Sequence, residues 1–89
     1  MKKINTLDTV KTMSDKEIQN WLRRIQMETE LTVLPIAMLG LDNNITKCIF
    51  RNMSVPARKS IQQLMEEQRR NKLAESLIKK SLNIIGQLL

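Results

Sequence analysis

Apolar residues recur along this chain at spacings of three and four, and residues able to cap a helix stand ahead of most of the runs. Ile18, Trp21, Leu22 and Ile25 fall at i, i+3, i+4 and i+7, which predicts a helix over about 15–28. Ser14-Asp15-Lys16-Glu17 ahead of it has the capping-box form, with a Ser to accept from the third helical N–H and a Glu to reciprocate. Pro35 forbids a continuous helix through the next segment, since an interior proline loses a hydrogen bond and clashes with the turn behind it. With Thr32 as N-cap, Pro35 falls in a first turn, giving a helix over about 33–39 closed by Gly40 as a left-handed C-terminal residue. Asp42 caps a third helix over about 43–52, with Ile45, Cys48 and Ile49 inward. Ser54 caps a fourth over about 55–68, with Pro56 in the first turn and Ile61, Leu64 and Met65 inward. Asn71 breaks the chain, and a last helix from about 73 carries Ala74, Leu77, Ile78, Leu82, Ile85 and Leu89. The opening INTLDTVKTM reads as a short or partly helical lead-in whose Ile4, Leu7 and Val10 form one turn-spaced set.

These elements predict an all-α protein, a compact stack or bundle of about five short helices with connections of a few residues. At 89 residues the chain is expected to form a single domain over 1–89, a lead-in over 1–13 and a helical core over 14–89. Trp21 and Phe50 are its aromatic residues, so the core is aliphatic and Met-rich. The residues expected to be buried together are Ile18, Trp21, Leu22, Ile25, Ile45, Ile49, Ile61, Leu64, Leu77 and Ile85.

Composition then narrows the chemistry. The chain has no histidine, which removes His-based acid–base catalysis and Cys/His zinc sites. Cys48 stands alone, so no internal disulfide is expected, and it reads as a small buried hydrophobe rather than a reactive thiol. No glycine-rich phosphate loop is present. We therefore expect no enzyme and no cofactor. The longest apolar stretch, LTVLPIAMLGL, is well short of the roughly 20 residues that span a bilayer, and no export signal is legible, so a cytoplasmic protein is expected. The net charge is +6, with basic residues mostly in pairs such as Arg58-Lys59, Arg69-Arg70 and Lys79-Lys80. Such a balance suits solvated helix faces or an anionic partner.

Three segments carry a more specific message: DKEIQNWLRRI from Asp15, IAMLG from Ile36 and IFRNMSVPA from Ile49. In this order they resemble the C-terminal domain of the flagellar motor switch protein FliG. That family has a similar Ile-Gln-x-x-Leu-Arg helix, an Ile-Ala-Leu-Lys-Gly helix end, and an Asn-Met-Ser break before the helix that works on the stator. The INTLDTV lead-in occupies the place of the family's hinge segment. The resemblance implies an all-α, armadillo-like domain at the cytoplasmic face of the flagellar basal body, where a charged helical ridge meets the stator's cytoplasmic loop or neighbouring switch subunits. The chain also departs from the family pattern. Leu39 replaces the family's lysine, Pro56 its arginine after Asn-Met-Ser, and Gln63-Leu64 its acidic ridge pair, with Glu66-Glu67 following three residues later. Lys72 stands near the last ridge arginine, Asn5 and Leu7 replace the hinge aromatics, and four extra residues lie between Leu22 and Gly40. A small FliG-like protein beside the main switch subunit fits these departures.

The docking surface expected from this resemblance is the exposed side of the helix after Ser54: Arg58, Lys59, Glu66, Glu67, Arg69, Arg70 and Lys72. An alternative is a basic helix-turn-helix that binds nucleic acid, with Val55–Lys59 as the start of a recognition helix. Glu66 and Glu67 would then sit near phosphates, which disfavours it. The C-terminal helix could lie on a membrane surface, but a domain this small needs that apolar face for its own core. Ile84 and Leu88 on that helix remain as a possible homo-oligomer contact.

Overall fold

In the computed structural model, which describes residues 7–72 and 74–89, a short 3-10 helix, Asp8–Thr12, precedes five α-helices. These are α1 (Asp15–Glu28), α2 (Val33–Met38), α3 (Asn43–Arg51), α4 (Val55–Arg70) and α5 (Glu75–Gln87). No strand occurs among the described residues. The all-α expectation holds, and the radius of gyration of 12.2 Å is that of a compact domain of this length. Ile4 and Asn5 of the lead-in, and position 73 where the last helix is expected to begin, lie outside the described residues.

Local chemistry sets most of the boundaries. Ser14 Oγ accepts from Glu17 N at 3.2 Å while Glu17 Oε1 accepts from Ser14 N at 2.8 Å, a complete capping box. Asp42 Oδ1 accepts from Ile45 N, and Ser54 Oγ from Ala57 N, so α3 and α4 start where their caps stand. Two details differ from expectation. Thr32 precedes α2 in a helical conformation and makes no side-chain cap bond, because α2 begins as a continuation of the Leu31–Thr32 turn. Gly40 has no positive φ. Its reason for being glycine is proximity: a Cβ there would lie 2.7 Å from Ile78 Cγ2 and 3.0 Å from Leu82 Cδ1, both on α5.

The short α2 is the centre of the molecule. Leu34, Pro35, Ile36, Ala37 and Met38 are all buried, and α2 packs against both α5 and α4. A helix apolar on every side belongs inside, and Pro35 near its start has no need of an intrahelical N–H bond. Around it lie Ile18, Trp21 and Ile25 of α1, Ile45 and Ile49 of α3, and Leu82 and Ile85 of α5. Leu7 and Val10 close the cluster where the 3-10 helix meets α3.

Several expected core residues sit further out. Leu77 is 40% exposed, because α5 turns Ile78, Ser81, Leu82 and Ile85 inward and Leu77 lies about 100° from Ile78. Leu22, Ile61 and Leu64 are half-buried, as is Cys48. No residue of α4 is fully buried. That helix lies at the edge, leaning on α2 through one face.

Candidate functional site

At about 100° per residue, α4 divides cleanly into faces. Arg58, Ile61, Leu64, Met65 and Gln68 recur at helical spacing and are the half-buried members of the helix. Lys59, Gln63, Glu66 and Arg70 form the opposite stripe, and all are exposed. Arg69 flanks that stripe on one side and Glu67 on the other, both exposed. Lys72 follows in the left-handed conformation, φ 53°, at the turn that ends α4.

Of the seven residues expected to dock a partner, six therefore point to solvent on or just beyond α4: Lys59, Glu66, Glu67, Arg69, Arg70 and Lys72. Arg58 does not join them. It is half-buried, and its Nε atom is enclosed with no hydrogen-bond partner. Its place three residues before Ile61, on the apolar stripe, was the sequence signal for this. Glu66 Oε1 accepts from Arg69 Nη1 at 3.3 Å, an exposed i,i+3 pair of small energetic weight. The outer face thus carries a central acidic–basic pair between the cations Lys59, Arg70 and Lys72. Arg69 and Arg70 in the last turn also suit the negative end of the helix dipole.

The corner before α4 holds a polar network that sequence reasoning missed. Asn52 Nδ2 donates to Cys48 O at 2.9 Å and to Asp15 Oδ1 at 3.2 Å, while Asn52 Oδ1 accepts from Gln19 Nε2 at 3.0 Å. Arg51 Nη2 donates to the same Asp15 Oδ1 at 3.0 Å. The Asn52 amide and the Arg51 guanidinium hold the Asp15 carboxyl below the ordinary aspartate range. Asp15 and Asn52 are 37 residues apart, so no spacing rule brings them together.

Between α1 and the start of α4 lies an open groove of about 640 Å³. Its floor is apolar, with Leu22, Ile25, Leu34, Met53 and Ile61, and Asn52 stands at its edge. Among the described residues no cluster of Cys, Asp or Glu side chains is arranged to hold a metal ion, and no helix is long and apolar enough to cross a membrane. The geometry offers a binding surface, with charges outward and a groove beside them.

Comparison with curated proteins and with solved structures gave no match. Comparison with protein families gave one that spans nearly the whole chain: the model of the FliG C-terminal domain matches residues 1–88. The segments that carry the resemblance lie in α1, in α2 with the turn after it, and at the α3–α4 corner. This chain belongs to the FliG C-terminal domain family, and is a flagellar motor switch-related domain.

Proposed function

We propose that this domain is a protein-interaction module of the flagellar switch that docks through the outer face of α4. The observation that carries the reading is the division of α4 itself. In a FliG C-terminal domain, this helix presents Lys59, Glu66, Glu67, Arg69, Arg70 and Lys72 to solvent while making only half-buried contacts inward. The partner is a switch subunit or the stator's cytoplasmic loop, with acidic groups facing the lysines and arginines and basic groups facing Glu67 and Glu66. The place of action is the cytoplasmic face of the basal body, with the membrane reached only through those partners. A surface that must engage and release under load is well served by charges. They steer association, and they avoid the slow dissociation of a large apolar seal.

The test is a double charge reversal that avoids the half-buried Arg58. Lys59→Glu with Arg70→Glu is expected to leave the helical circular dichroism and unfolding midpoint nearly unchanged, since exposed substitutions usually move stability by less than about 0.5 kcal/mol. Affinity for the stator loop or switch subunit, read by titration calorimetry, falls in the variant. The deficit is larger at low salt, where screening is least. An unchanged affinity in a folded variant removes α4 as the docking face.

A further inference from the structure

The molecule ties α4 to the rest of the fold in an unusual way. Among the described residues, no side-chain hydrogen bond or ion pair joins α4 to another helix; those it makes stay within α4 and its own cap. Its inward contacts are the half-buried stripe against α2, and on its α1 side lies the open groove. Its direction is set by that packing on α2 together with the corner from which it starts. At that corner Asn52 ends α3, and only Met53 and Ser54 separate it from the first residue of α4.

We infer that Asn52 is the positioning residue for the docking helix, a pin that ties the end of α3, two residues ahead of α4, to α1. Both amide N–H groups and the carbonyl oxygen of its side chain are engaged. The amide carbonyl takes Gln19, and the two N–H groups go to Asp15 on α1 and to Cys48 O at the end of α3. Aspartate lacks those donors, and glutamine is one methylene too long for three short bonds from one backbone position. The pin therefore reads α1 on one side and α3 on the other. When it is lost, the exposed Arg51–Asp15 pair alone ties that corner to α1, and α4, held by its contacts on α2, gains freedom about Met53–Ser54 toward the groove. The charged face turns with it. The inference rests on the docking reading only for its consequence, which is that a partner meets α4 in one direction. The direction itself is a property of the free protein.

Double electron–electron resonance tests it without a partner. Spin labels replace exposed Met27 on α1 and exposed Gln63 on α4, in a Cys48→Ala background. The unpinned comparison is Asn52→Ala, expected to broaden or displace a distance distribution that is narrow in the parent. Asn52→Asp is expected to do the same, since it places a carboxylate against Asp15. Should Asn52→Ala not fold, Gln19→Ala removes a single exposed bond of the same pin and is expected to broaden the distribution less, in the same sense. A parent-like distribution in Asn52→Ala, or in Gln19→Ala where that variant stands in, overturns the inference. With a partner in hand, loss of the pin lowers affinity by about fivefold for each hydrogen bond's share of the orientation equilibrium. If the distance distributions behave as expected while the charge reversal leaves affinity unchanged, the docking reading fails and the pin stands.

Discussion

Trp21 joins two helices through one ring. It is 3% exposed, and its Nε1 donates at 2.8 Å to Ile85 O in the last turn of α5. Arg24, three residues on, donates to Leu88 O. The last carbonyls of a helix lack their i+4 partners, so α1 adds donors at the end of α5, to Leu88 O and to Ile85 O, which otherwise has only the capping Leu88 N–H. Trp21→Ala is expected to lower stability by about 3–5 kcal/mol in chemical denaturation, the cost of a large buried aromatic plus the cavity it leaves. Trp21→Phe keeps most of the apolar area and is expected to cost about 1 kcal/mol for the lost bond, because Ile85 O still accepts from Leu88 N. A loss below about 1 kcal/mol in the alanine variant would contradict the packing described. Asp15 gives a second test at this scale. Its carboxyl titrates below the ordinary aspartate value of about 3.9, so its ionised form stabilises the fold above that value. The contribution fades as pH falls through the depressed folded value. The stability difference between the parent and Asp15→Asn should therefore be present at neutral pH and vanish in strong acid. A difference that stays constant with pH would show that the charge on Asp15 plays no part. Because Asp15 is exposed, added salt should shrink the difference too.

At the level of helices, the boundaries were legible wherever the cause is local. Ser14, Asp42 and Ser54 cap the helices that follow them, and the apolar spacing of Ile18, Trp21 and Ile25 places the inward side of α1. The depth of burial was not legible, because it depends on which helix becomes the centre. Its shortness and its proline hid the role of α2, and Ile61 and Leu64 of α4, expected in the core, reach only half burial. Within the charged site, the outward stripe could be read from periodicity, which also should have placed Arg58 inward. The Asn52 network could not, since it depends on α1 and α3 meeting in space. Gly40 shows how a local rule misleads: a glycine after a helix suggests a left-handed cap, yet here it makes room for α5. Gly40→Ala is expected to destabilise by about 1–2 kcal/mol despite the gain from a stiffer unfolded chain. Leu82 Cδ1 can rotate away, but Ile78 Cγ2 sits on a β-branched carbon with little rotamer freedom, so α5 itself must shift. A more stable Gly40→Ala variant, or one with an unchanged unfolding midpoint, would mean that α5 yields easily at that contact.

For the whole molecule, the question is what a net charge of +6 on a small helical domain is for. The α3–Asn52–Met53–Ser54–α4 corner has the outline of a helix-turn-helix, and a basic balance is the electrostatic footprint of many nucleic-acid binders. A recognition helix, however, reads bases through side chains at its exposed start. Here that start holds Val55, Pro56 and Ala57, and Arg58, the first cation after them, turns half inward against the fold. The exposed cations lie mainly at the other end of α4, where Glu66 pairs with Arg69 and Glu67 stands beside them. A phosphate backbone laid along that face would meet both carboxylates as well as the arginines. Any attraction to DNA should therefore come from net charge alone, which is sequence-independent and works by releasing condensed counterions. The expected result in a fluorescence anisotropy titration is weak binding to duplex DNA of any sequence at about 50 mM salt, lost by about 200 mM. Lys59→Glu with Arg70→Glu should abolish even the low-salt binding, since it removes two exposed cations and adds two anions. A sub-micromolar, sequence-dependent complex that survives physiological salt would instead require base contacts from the start of α4. The corner would then be a nucleic-acid reader, and the charged face beyond it would have to be reassigned from protein docking to phosphate contact.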